Sequence, residues 1–215
     1  MVYQKRKFVR KRRYVNNKNK YMALSKRVSA LQKITKPEYK YKDVFLNQNF
    51  TDTGTMVLLN GLTQGDGATD REGRNILIKS IQTKLSVKMD PDAVSTIGRL
   101  IFFYDRQVNG AAPAVADLLD LTGGASTGVV ALRNLNNRSR FNIILDRRFV
   151  IAAGDEPQWW LSKYMKQLKR VQYNAGTAGT VADITTNALY MCIICDESAE
   201  TPLMYGTVRT RYIDN

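Results

Sequence analysis

The sequence predicts an all-β fold, a sandwich, jelly roll or barrel of about eight strands, preceded by a basic, partly helical N-terminal arm. Three observations carry this. From Tyr39 onward apolar residues recur with period two in segment after segment; clusters of Gly, Asn, Asp and Pro separate the segments; and no long helical pattern intervenes, which argues against an α/β fold.

Taken in order, residues 1–20 hold nine Lys and Arg and no acid, with Tyr3, Phe8, Tyr14 and Val15 interleaved. Such a block repels itself and cannot build a core, so it reads as an arm that orders only against a partner. In Tyr21–Thr35, Leu24, Val28, Leu31 and Ile34 fall at helical spacing opposite Lys26, Arg27 and Lys33. Barely four turns are marginal alone, so the apolar stripe is expected to pack on the body or on copies of itself, and Pro37 ends the helix. The expected organisation is an arm (1–20), an amphipathic helix with linker (21–38) and a β domain (39–215).

The clearest strand puts Ile81, Thr83, Leu85, Val87 and Met89 on one side and Ser80, Gln82, Lys84, Ser86 and Lys88 on the other, a half-buried pattern turned by Asp90-Pro91-Asp92. Ile97–Tyr104 is nearly continuous apolar, as for a central strand covered on both faces. Further strands are expected at Tyr41–Asn47, Thr55–Leu59, Phe141–Ile151, Met165–Tyr173, Leu189–Cys195 and Tyr205–Ile213. Within the body only Ala114–Leu121, after Pro113, reads as helix, and Gln158–Leu161 as a short turn. Loops at 61–74, 105–113 and 122–140 are long enough to be surface features.

The net charge of +14 is unevenly placed. Residues 1–42 carry 15 basic side chains and one acid, Glu38, whereas residues 43–215 carry 18 of each, so the entire excess belongs to the first fifth of the chain. A cationic arm on a neutral body predicts a polyanionic partner bound by counterion release. The arm residues expected to contact nucleic acid are Lys5, Arg6, Lys7, Arg10, Lys11, Arg12, Arg13, Lys18 and Lys20. Their interleaved aromatics favour unpaired bases for stacking, and without a fixed framework no base-specific readout is expected. The same clusters also read as a nuclear localisation signal.

Other chemistry is poorly provided for. The absence of histidine removes Ser-His-Asp and Cys-His catalysis and every His-containing zinc site, and the chain is expected not to be an enzyme. Cys192 and Cys195 have knuckle spacing, but residues three apart in a strand face opposite ways and no second ligand pair exists, so they read as core residues. The carboxylates Asp66, Asp70 and Glu72 could hold a divalent cation, yet an ordinary polar loop is the simpler reading, and no metal or cofactor is assigned. Asp117 and Asp120 are accounted for by capping and solvation. Of the adjacent Trp159 and Trp160, one is expected in the core and the other, if exposed, at an interface. No signal peptide and no apolar run long enough to span a bilayer are found, so a soluble, intracellularly made protein without a membrane partner is expected.

Three stretches stand out together: Gln64-Gly65-Asp66 with Arg71 and Gly73, leading into Ile76–Met89; Arg99–Leu119; and Val171-Gln172-Tyr173-Asn174 with Gly176-Thr177, Thr180–Asp183 and Thr186–Tyr190. In their order and spacing they resemble the single jelly-roll capsid proteins of the satellite tobacco necrosis virus type, and more closely their relatives in small circular Rep-encoding single-stranded DNA viruses. The resemblance covers residues 40–215. It implies an eight-stranded jelly roll that self-assembles into a small icosahedral T=1 shell of about 60 copies, located in the virion; the localisation-signal reading of the arm leaves assembly in the host nucleus open. The arm would lie inside against a single-stranded genome, DNA in preference to RNA, and the helix carrying Leu24, Val28, Leu31 and Ile34 would cluster with symmetry mates. The competing expectation is a non-viral nucleic-acid-binding β domain, which should carry basic residues on its folded surface as well.

Overall fold

A computed structural model of the chain describes residues 19–31, 38–122, 128–154 and 157–214. The chain divides into two units, residues 1–37 and 38–215. In the first, the described residues 19–31 are all helical and form α1, which includes Lys20. Leu24, Val28 and Leu31 are exposed on it; Lys5 to Lys18 and Ile34 lie outside the described residues.

The second unit holds nine strands among its described residues: β1 Glu38–Asn49, β2 Thr55–Leu58, β3 Asn75–Lys88, β4 Ser95–Asp105, β5 Phe141–Ala152, β6 Gln158–Tyr173, β7 Ile184–Thr186, β8 Ala188–Cys195 and β9 Leu203–Asp214. They form a five-stranded sheet ordered β1-β9-β3-β6-β7 and a four-stranded sheet ordered β2-β8-β4-β5. Leaving aside the three-residue β7, the antiparallel pairs β1 with β9, β2 with β8, β3 with β6 and β4 with β5 make one long hairpin folded at its middle. Further pairing of β3 with β9 and β4 with β8 rolls that ribbon into two facing sheets. This is an eight-stranded jelly roll, the architecture expected.

The core lies between the sheets. Leu100, Phe102 and Tyr104 of β4 and Leu189, Met191 and Ile193 of β8 share a face through their register and meet Ile81, Leu85, Val87, Met204 and Val208 of the other sheet, all fully or almost fully buried. The opposite face of β4 and β8 is buried too, because the connection from β4 to β5 folds over it: the Arg99 guanidinium donates to the carbonyls of Gly128 (3.1 Å) and Ala131 (2.6 Å), and Gly128 packs against Ile194 and Leu119. That cover explains why Ile97–Tyr104 and β8 read as unbroken apolar runs rather than alternating ones. Cys192 and Cys195 lie on opposite faces of β8, both buried. Burial pushes their thiols up to about 12 and about 11.

Two sequence expectations are corrected. The helix foreseen at Ala114–Leu121 is a single turn, α2 (Val115–Leu118), because the following residues are drawn into a bridge with the returning chain: the Asp120 amide donates to the Leu132 carbonyl (2.8 Å) and the Asn134 amide to that of Leu118 (3.0 Å). Gln158–Leu161 is not a turn but the start of β6, paired with Leu85–Lys88.

Candidate nucleic-acid interface

The outer face of the five-stranded sheet gathers the chemistry that the strand patterns dispersed. A bulge at β3 between Ile78 and Ser80 shifts its phase, so Ser80, Gln82, Lys84, Ser86 and Lys88 point outward, as their alternation with Ile81, Thr83, Leu85 and Val87 requires. On β6 the outward phase is Trp160, Ser162, Tyr164, Lys166, Leu168 and Arg170; on β9 it is Tyr205, Thr207, Arg209 and Arg211; on β1 it is Tyr39, Tyr41, Asp43 and Phe45. Lys163 and Lys169 have the other phase, the latter over the Tyr104 ring at 5.7 Å, and do not belong to this face.

Lys79, Lys84, Lys88, Lys166, Arg170, Arg209 and Arg211 therefore share one surface with Asp43 as the one carboxylate among its described outward strand residues. Asp43 accepts from Arg209 Nε (2.7 Å) and Nη2 (2.6 Å) and also feels the Arg211 charge, while none of the other five cations forms an ion pair among the described residues. The hydrogen bond from Arg209 holds the Asp43 carboxyl below its ordinary value against an opposing desolvation, and the Arg209 guanidinium lies 4.9 Å from the Tyr41 ring centroid. Interleaved with the cations are exposed aromatic and apolar side chains: Tyr39, Phe45 (78% exposed), Trp160 (66%), Tyr164 and Leu168. Tyr39, Lys79, Ser80, Tyr164, Lys166, Leu168 and Arg211 line an open depression of about 560 Å³. Cations with unstacked aromatics on a pleated surface can take phosphates and bases together.

Residues 43–215 are neutral in sum, but not uniform over their folded surface. The fold segregates their charges, and the test that a non-viral β domain alone should have a basic folded surface does not discriminate. The signal was legible within single strands, as Lys84 and Lys88, Lys166 and Arg170, and Arg209 and Arg211 at even spacings. Their assembly on neighbouring strands was not legible.

The remaining candidates resolve individually. Asp70 accepts from the Thr63 hydroxyl while Glu72 accepts from Lys40 (2.7 Å), and among the described residues no group of three Cys, Asp or Glu could hold a metal ion. Lys40 is buried beside Glu72, Glu38 (3.6 Å) and Asp214 (3.8 Å); burial would lower its pKa, but the hydrogen bond to Glu72 and the three carboxylate charges raise it above the ordinary value. This cluster fastens the start of β1 and the end of β9 to the 61–74 loop. Arg71, fully buried, donates to the carbonyls of Gly73 (2.9 Å) and Gly176 with its guanidinium 4.4 Å from the Tyr173 ring centroid, tying two loops at the same end. Both are structural clamps. Asp117 caps α2 by accepting from the Ala114 amide (2.9 Å).

A family model described as satellite tobacco necrosis virus coat protein matches residues 10–215. No curated protein sequence matches the chain. Among solved structures, one of Desmodium yellow mottle tymovirus is 10% identical over 83% of this chain and 88% of its own, with a TM-score of 0.35. One of infectious bursal disease virus, Gt strain, is 10% identical over 82% and 33%, with a TM-score of 0.26. The VP1 of Trichodysplasia spinulosa-associated polyomavirus is 10% identical over 83% and 92%, with a TM-score of 0.22. The fold assignment rests on the strand pairing itself.

Proposed function

Because the chain belongs to the satellite tobacco necrosis virus coat protein family, and is thus a viral capsid protein of the virion, we propose that about 60 copies close into a T=1 icosahedral shell and package a single-stranded genome through the basic arm. The arm residues are Lys5, Arg6, Lys7, Arg10, Lys11, Arg12, Arg13, Lys18 and Lys20, joined by the cationic face of the five-stranded sheet. The observation that carries this is the placement of charge: the whole excess is on the first 42 residues, and the balanced remainder turns one cationic surface outward. Subunits that pack side by side need neutral flanks, and confined phosphates need cations on one side. The exposed stripe Leu24, Val28 and Leu31 on α1, continued in sequence by Ile34, would be covered by other copies. No residue is given a catalytic role.

DNA is the cargo we assign, on the likeness of Asn174–Leu189 to coat proteins of Rep-encoding viruses; phosphate contacts themselves serve either sugar. The experiment is to express the full chain, purify particles by sedimentation, image them, and digest the extracted nucleic acid with DNase or RNase. Closed particles holding DNase-sensitive material are expected. RNase-sensitive cargo would overturn the DNA assignment, and a stable monomer at high concentration would overturn the shell. Deleting residues 1–20 should leave the β domain folded while cargo per particle falls; cargo at the full-length level would remove the arm from the mechanism.

A further inference from the structure

We infer that Trp160 is a base-stacking site for single-stranded nucleic acid, flanked by Lys84 and Lys88 as phosphate contacts. The inference rests on the packaging reading and adds where and how a base is held. Strand phase separates the two tryptophans: Trp159 turns inward and stacks on Phe149 with ring centroids 4.3 Å apart and planes 13° from parallel, while Trp160 turns outward and is 66% exposed. The Trp160 ring meets Tyr205 edge to face, at 6.4 Å and 78°, so Tyr205 props the indole from one side. Tyr205 is itself held, since the Gln158 amide donates both to its hydroxyl and to Ser86 Oγ (2.9 Å). Ser86 lies opposite Trp160 on one side and Tyr205 on the other, and its small, buried side chain sits beneath the two rings, which meet above it.

Lys84 and Lys88 stand two positions either side of Ser86 on β3, about 7 Å away along the strand. A braced, exposed indole between two lysines matches one unpaired nucleotide and its flanking phosphates, since every base offers a π-face and every nucleotide a phosphate. Charge selects the occupant: an exposed tryptophan waiting for a second copy of this chain would not need two lysines beside it.

The test uses the full-length chain and two labelled oligonucleotides, oligo(dT) and an abasic strand of equal length, with binding followed by anisotropy and by tryptophan fluorescence. Oligo(dT) should quench the tryptophan signal on binding and the abasic strand should bind with little quenching. W160A should remove the quenching and weaken oligo(dT) binding on the order of tenfold, in the range for one stacked base, with abasic binding unchanged. Binding without quenching, or equal quenching by both strands, overturns the stacking site while leaving packaging intact; no binding of either strand overturns both. Quenching that follows protein concentration without any oligonucleotide assigns Trp160 to contact between copies and also overturns it.

Discussion

Replacing Lys84, Lys88, Lys166 and Arg170 by glutamine removes four exposed cations from the sheet face without touching the core or any described ion pair. Changes of this kind move stability by about 0.5 kcal/mol or less, so the fold should survive. Each phosphate contact on a single strand contributes roughly 0.7 to the slope of log affinity against log salt, so losing four should flatten it by about 2.8. Between 50 and 200 mM salt the wild-type chain should therefore lose about 50-fold more affinity than the variant. Arg209 is left out because Asp43 already neutralises it at 2.6 and 2.7 Å. The assay is fluorescence anisotropy of labelled oligo(dT) with the full chain across a salt series, and the control is glutamine at Arg106, Arg138 and Arg148, which lie outside the five-stranded sheet. A variant slope equal to wild type, or an equal flattening by the control set, would refute the reasoning that folding concentrates usable charge on this face.

Further outcomes follow from the buried chemistry. Arg99, only 3% exposed, makes two bonds of 2.9 Å to Asp146, so D146N should lower the urea-unfolding free energy by about 3 kcal/mol, as expected when a buried ion pair loses one partner; R99M, which also forfeits the bonds to the Gly128 and Ala131 carbonyls, should cost more, and an additive cycle of R99M, D146N and their combination would count against the pairing. The Arg99 hydrogen bond holds the Asp146 carboxyl below its ordinary value, so its stabilisation is complete above the unfolded carboxyl's pKa near ~4 and is lost as pH falls through the lower folded value; wild-type urea midpoints should drop on acidification below about pH 4, and less so in D146N. With thiols raised to about 12 and about 11 by burial, Cys192 and Cys195 should resist iodoacetamide at pH 8 in the folded chain and react in urea, and native labelling detected by mass spectrometry would contradict their placement.

How far the sequence could be read depended on how local each signal was. The alternation Ile81 to Val87 against Ser80 to Lys88 gave both the strand and its outward face, because side-chain direction in a strand depends on nothing beyond the strand. Helix at Ala114–Leu121 and a turn at Gln158–Leu161 were misread for the opposite reason: partners distant in sequence, Leu132 and Asn134 in one case and Leu85–Lys88 in the other, decided them. β7, three residues long, has no period to detect.

Charge shows the same division. The sequence alone determined that the excess of +14 lies in the first 42 residues and that histidine chemistry is absent, since composition and position along the chain need no fold. It also determined eight strand segments, most of them period-two with a polar side and two, Ile97–Tyr104 and Leu189–Cys195, apolar nearly throughout. Only the tertiary structure decided which polar sides lie together, because β3, β6 and β9 become neighbours through pairings between segments far apart in sequence. That pairing, set by burying the other face of each strand in a common core, turned a body of zero net charge into one with a cationic, aromatic surface.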